Sequence, residues 1–208
     1  MKIKQRTILA LFFFIQVGQI ILPLSKSTLA KNIGIVSKEE TNMQTADSYV
    51  KDGISKGKNA NYNEAIISFS KAILIDESNA IAYYNRGLAK TNLNNFEGAI
   101  SDYDKAVDIN PKYAIAYFNR GVAKYNLDDY LGAITDYSKS LKINIDDADG
   151  YLNRGLVYFK IGNKKTACRD LKKAASLGNK FAESWLRRDE NTWCINITSE
   201  FKRVLITN

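Results

Sequence analysis

The sequence predicts an all-α fold, a stack of four helical hairpins closed by a short capping helix, and three observations carry that prediction. Gly53, Gly87, Gly121 and Gly155 recur at one constant spacing, with a period of 34, as do Ala65, Ala99, Ala133 and Ala167, and Tyr49, Tyr83, Tyr117 and Tyr151. Within each copy the apolar residues fall on the helical period in two separate stretches. Only 2 prolines occur in 208 residues, so long helices meet little interruption. A fixed period of this size marks a solenoid, whose units complete their cores against their neighbours.

The first element is an address. The basic start MKIKQR leads into the apolar TILALFFFIQVGQIILPL and then SKSTLA, which ends in small residues at Thr28 and Ala30. This is the three-part layout of a secretory signal peptide, residues 1–30, and it predicts export into a periplasm, lumen or extracellular space with cleavage after Ala30. A second reading keeps residues 8–24 as an anchor, since they approach the roughly 20 residues of a membrane span. Gln16, Gly18, Gln19 and Pro23 weaken that reading. No cysteine lies near enough to accept a lipid, and residues 31–45 read as a polar linker.

Four copies follow, over 46–79, 80–113, 114–147 and 148–181, and the middle two are identical at more than half of their positions. In the second copy Ala80, Tyr83, Tyr84, Gly87, Leu88 and Thr91 lie on one helix face, and Phe96, Ala99, Ile100, Tyr103 and Val107 on another. Asn94-Asn95, and Asp128-Asp129 in the next copy, are turn and N-cap residues that separate the two helices. Glycine inside a helix costs about 1 kcal/mol against alanine, so its recurrence at Gly87 predicts close approach of the helix carrying Ala99 and Tyr103. Residues 182–208 are the capping helix and tail: KFAESWLRRDE, from residue 180, places Phe181, Trp185 and Leu186 on one face, and the segment from 191 onward fits no repeat. Within that tail Asn196-Ile197-Thr198 is a glycosylation acceptor only in a eukaryotic secretory route.

Composition excludes several chemistries. There is no histidine, which removes the usual neutral-pH base, the commonest metal ligand and every Ser-His or Cys-His nucleophile. No catalytic residue, metal site or cofactor is expected, and the chain reads as a non-enzyme. The acids at Asp146, Asp147 and Asp149 fail as a calcium loop, because Ile145 and Leu156 hold the first and twelfth ligand places; they read as a turn and a helix N-cap. Cys168 and Cys194 could pair after export, but Cys168 occupies the register of Ile66, Ile100 and Ile134 and reads more simply as an unpaired core residue.

The net charge of +8 is local. The leader alone holds Lys2, Lys4, Arg6 and Lys26 with no acid. The fourth copy carries Lys160, Lys164, Lys165, Arg169, Lys172 and Lys173, a basic patch that either serves solubility or meets an acidic partner or anionic lipid. Nucleic acid is not expected, given export.

At Tyr83, Gly87, Ala99, Tyr103, Ala106 and Pro111 the second copy resembles the tetratricopeptide repeat. The third keeps Tyr117, Gly121, Ala133 and Tyr137 but has Ser140 and Ile145 in the last two places; the first has Glu77 for the proline, and the fourth departs furthest, with Leu171 and Asn179. The resemblance implies a right-handed superhelix whose first helices line a concave groove, and it assigns that groove to the second, fifth, ninth and twelfth residues of each copy. These are Ile81, Tyr84, Leu88 and Thr91; Ile115, Phe118, Val122 and Tyr125; then Asp149, Leu152, Leu156 and Phe159. The rings of Tyr84, Phe118 and Tyr125 have two readings, as groove wall or as packing between helices. Asn85, Asn119 and Asn153 hold the family's asparagine, which either bonds backbone and neighbours or touches the partner. In some family members this asparagine joins a clamp for a terminal carboxylate, but that clamp needs Lys and Asn where this chain has Val50 and Ile54, so carboxylate capture is not expected. The implied function is an exported scaffold that binds a peptide or helix of a protein partner. The alternative is a membrane-tethered assembly factor with peripheral contact through the basic patch.

Overall fold

Thr45 caps the first described helix, accepting from the Ser48 N–H at 3.2 Å. The computed structural model describes residues 45–188 together with Cys194. The expected leader and cleavage site, most of the expected linker and the rest of the tail lie outside the described residues. Nine helices occur among the described residues, with no strand, and the predicted class holds. They are α1 Ala46–Lys58, α2 Tyr62–Ile75, α3 Ala80–Asn92, α4 Phe96–Ile109, α5 Ala114–Asn126, α6 Tyr130–Ile143, α7 Ala148–Lys160, α8 Lys164–Ser176 and α9 Lys180–Leu186. None of them is long and apolar enough to cross a membrane.

The hairpin turns follow from local chemistry. Ala60, Asn94, Asp128 and Gly162 occupy one register position, and all four adopt the left-handed conformation, with φ of 60°, 57°, 58° and 83°. Glycine, asparagine and aspartate visit that region readily, whereas alanine does so at a cost. The next residue then caps the second helix: Asn95, Asp129 and Asn163 each accept a backbone N–H three residues on. Asp147 caps α7 by accepting from Asp149 and Gly150 N–H, which is the role the sequence gives those acids.

Each odd helix packs on the even helix after it, each even helix packs on the next odd one, and α1 also touches α3 as α3 touches α5. Alanines sit at the closest approaches, with Ala65, Ala72, Ala82, Ala99, Ala106, Ala116, Ala133 and Ala167 fully buried. The recurrent glycines serve the same purpose. A Cβ on Gly53 would lie 2.6 Å from the Phe69 ring, and one on Gly87 would lie 2.8 Å from that of Tyr103. The buried rings of Phe69, Tyr103 and Tyr137 thus lie directly on helix backbone.

At the C-terminal end α9 begins at Lys180, two residues before the boundary the repeat period suggests. Ala182, Trp185 and Arg188 stand one full period beyond Ala148, Tyr151 and Arg154, so this helix takes the place of the first helix of a fifth copy. The expectation of an unpaired Cys168 is corrected here. Cys168 is buried as expected, but it is joined to Cys194, with Cα atoms 5.3 Å apart. The repeat register of Cys168 identifies its place in the core. The partner comes from a tail with no register, so periodicity carries no signal for the bond.

Candidate functional site

The inner faces of the odd helices are set by a ladder of ion pairs behind them. Arg86, Arg120 and Arg154 each reach the aspartate sixteen residues on: Arg86 to Asp102 at 2.7 Å, Arg120 to Asp136 at 2.6 Å and Arg154 to Asp170 at 2.7 Å. Each also reaches back sixteen residues into the previous copy, to Ser70 at 3.0 Å, Asp104 at 2.6 Å and Ser138 at 3.0 Å. One guanidinium therefore fixes its own hairpin and ties it to its neighbour. The same guanidinium lies over the tyrosine three residues earlier, 5.2 Å from the ring centre for Arg120 on Tyr117. Burial pushes the Arg120 guanidinium down, but hydrogen bonds to Asp136 and Asp104 outweigh that and leave it raised. The sequence does carry a signal for this ladder, because its arginines and aspartates recur with the repeat, but none of them stands among the expected site residues.

With the odd helices so held, the predicted groove residues divide. Ile81 and Ile115 are half-exposed, at 53% and 49%, and Tyr125 and Phe159 lie just past one-third. Tyr84, Leu88, Phe118, Val122, Leu152 and Leu156 are half-buried. Of the rings with two readings, Tyr84 packs on Tyr103 and Tyr113, with centroids 6.0 and 5.0 Å away, and Phe118 packs on Tyr137 at 5.5 Å. Tyr125 stays exposed against Tyr130. Burial raises the Tyr84 phenol, while the Asn119 amide that donates to it at 3.0 Å opposes the shift. Asn85 and Asn153 donate to the carbonyls of Ile81 and Asp149 in their own helices.

Two pockets lie against these helices. One, of about 360 Å³, is lined by Ile115, Phe118, Ser140, Asn144 and the acids Asp147 and Asp149. The other, of about 300 Å³, lies between α1 and α3, where Ile54, Gly57, Lys58, Tyr62 and Phe69 face Asn85, Leu88 and Asn92. Gly57 is not among the expected site residues. Its signal is that the corresponding places hold Thr91, Tyr125 and Phe159.

The basic patch divides as well. Lys160, Lys164, Lys165 and Arg169 are exposed, whereas Lys172 donates to the Cys194 carbonyl at 3.1 Å and Lys173 lies over the Tyr151 ring. Among the described residues no group of three acidic or cysteine side chains could hold a metal ion.

Comparison with known proteins places this geometry among others. A family model described as TPR repeat matches residues 59–94, 87–128 and 123–162, and one described as tetratricopeptide repeat matches 148–179. No curated protein matches the sequence. A crystal structure of MamA is similar at 24% identity and a TM-score of 0.64, covering 78% of this chain and 99% of that one. Another MamA structure is 27% identical, with a TM-score of 0.62 and coverage of 76% and 85%. The first TPR of Spaghetti, bound to the HSP90 peptide SRMEEVD, is 28% identical with a TM-score of 0.56, over 58% of this chain and 95% of that one.

Proposed function

Since the chain belongs to the tetratricopeptide repeat family, we propose that it is an exported scaffold that binds a peptide segment or helix of a partner protein along α1, α3, α5 and α7. The observation that carries this reading is the row of exposed apolar side chains, Ile81, Ile115, Tyr125 and Phe159, on helices joined by the ladder of ion pairs. Such a row suits an apolar or amphipathic segment, because large apolar groups left in water gain from burial on contact. The peptide held by the Spaghetti domain supports a peptide ligand by analogy. The apolar leader and the Cys168–Cys194 bond support export, since disulfides persist in oxidising compartments.

A second reading rests on charge. Residues 46–147 hold 12 basic and 14 acidic side chains, whereas 148–188 hold 10 basic and 3 acidic. That +7 end favours peripheral contact with an anionic surface if the leader is retained as an anchor.

The test uses the mature chain with Ile81→Asp and Ile115→Asp. Both positions are exposed, so circular dichroism should stay helical while crosslinked partners from the native envelope fraction are lost. Retention of the same partners by the double variant would remove the groove from consideration and direct attention to Lys164, Lys165 and Arg169.

A further inference from the structure

Three of the four twelfth-position residues are occupied with their own neighbours. The Thr91 hydroxyl bonds the Gly87 carbonyl at 3.0 Å and lies 3.1 Å from the Tyr103 hydroxyl. Tyr125 packs on Tyr130, and Phe159 stands edge-on to Trp185. Gly57 is the exception. A Cβ built there meets nothing within 4 Å, in contrast to Gly53 one turn earlier. The pocket of about 300 Å³ therefore opens where a side chain is missing. Its walls are apolar at Ile54, Phe69 and Leu88, and among the described residues Lys58 is its only charged lining side chain. The Asn85 and Asn92 amides are fixed by donating N–H to Ile81 and Leu88, bonds that do not use the amide oxygens.

We propose that this pocket is the specificity site of the groove: it takes one large apolar side chain of a partner peptide, and Lys58 pairs with a carboxylate beside that anchor. The inference rests on the groove reading above. The volume stands at the lower end of the range of ordinary ligand sites, roughly 300 to 1000 Å³, and leaves room for one large side chain. A cation on the rim with no acid in the lining selects a negative neighbour and repels a positive one. Asn85 and Asn92 supply amide oxygens that can accept peptide N–H groups, so affinity does not depend on the anchor alone.

The experiment selects a displayed random peptide library on the mature chain and compares variants. Wild type and Gly57→Ala should enrich peptides with Leu, Met, Phe or Trp next to Asp or Glu. Gly57→Leu starts its side chain from a position where a Cβ meets nothing within 4 Å and extends it into the pocket, so its thermal unfolding should be kept while those peptides bind about tenfold or more weakly. Lys58→Glu should keep the apolar preference and lose the acidic one. Equal binding of the enriched peptides to Gly57→Leu would overturn the proposal. If Ile115→Asp still weakens them, the groove survives without its anchor pocket; if neither variant matters, the groove reading fails as well.

Discussion

Arg120 grips Asp136 with two nitrogens, Nε to Oδ2 at 2.9 Å and a terminal nitrogen to Oδ1 at 2.6 Å, and turns its other terminal nitrogen to Asp104 of the preceding hairpin. Lys124 completes the cluster at 2.8 Å from Asp136. Removing one partner of such a buried group leaves an uncompensated charge. Asp136→Ala should therefore cost roughly 3–5 kcal/mol in denaturant unfolding. Replacing both partners by apolar residues, Arg120→Met with Asp136→Leu, should recover most of that loss. A double variant as unstable as the single would mean that the ladder acts by more than charge.

The glycine and alanine positions predict opposite signs for the same pair of residues. Gly87→Ala drives a methyl group into the fully buried Tyr103 ring and should cost about 1–3 kcal/mol. Ala60→Gly relieves a left-handed alanine and should gain about 1 kcal/mol. Thermal melts of the two variants should move in opposite directions.

Alkaline pH should destabilise the core through its buried tyrosines. Burial raises the phenols of Tyr103 and Tyr137 well above their usual range and that of Tyr113 to about 12. In the unfolded chain these groups ionise near pH 10, while the folded chain keeps them neutral. The stability they contribute is present below about pH 10 and is lost as pH rises through the folded values. Denaturant midpoints should hold to pH 9 and fall steeply above pH 10, with a shallower fall in Tyr137→Phe. An unchanged slope in that variant would remove Tyr137 as a cause.

The bond between Cys168 and Cys194 closes a span of 26 residues. A crosslink of this reach is worth about 2–4 kcal/mol to an otherwise two-state fold. Cys194→Ser, or a thiol reductant acting on the wild type, should lower stability by the same amount, and hydrogen exchange should rise first in α8 and α9. Uniform loosening of all hairpins would contradict a local role for the bond.

Most of the architecture is legible in the sequence because it is written in repetition. Gly87, Ala99 and Tyr103 recur in every inner copy or its close equivalent, and their packing follows from helix periodicity and from the size of what each must touch. The hidden parts depend on which way a side chain turns. Tyr84 and Tyr125 look alike in sequence, yet Tyr84 lies between Tyr103 and Tyr113 while Tyr125 remains at the surface. The pocket at Gly57 is invisible there for a related reason: an absent side chain matters only when the surrounding walls are known.

The ladder also has an end. Arg188 continues the series of Arg86, Arg120 and Arg154, but sixteen residues before it, where the series supplies Ser70, Asp104 and Ser138, the chain holds Lys172. Two cations cannot form a rung, and Lys172 instead holds the Cys194 carbonyl. The acceptor that Ser70, Asp104 and Ser138 supply in the inner copies is thus replaced at this end by a lysine that clasps the tail beside the Cys168–Cys194 bond.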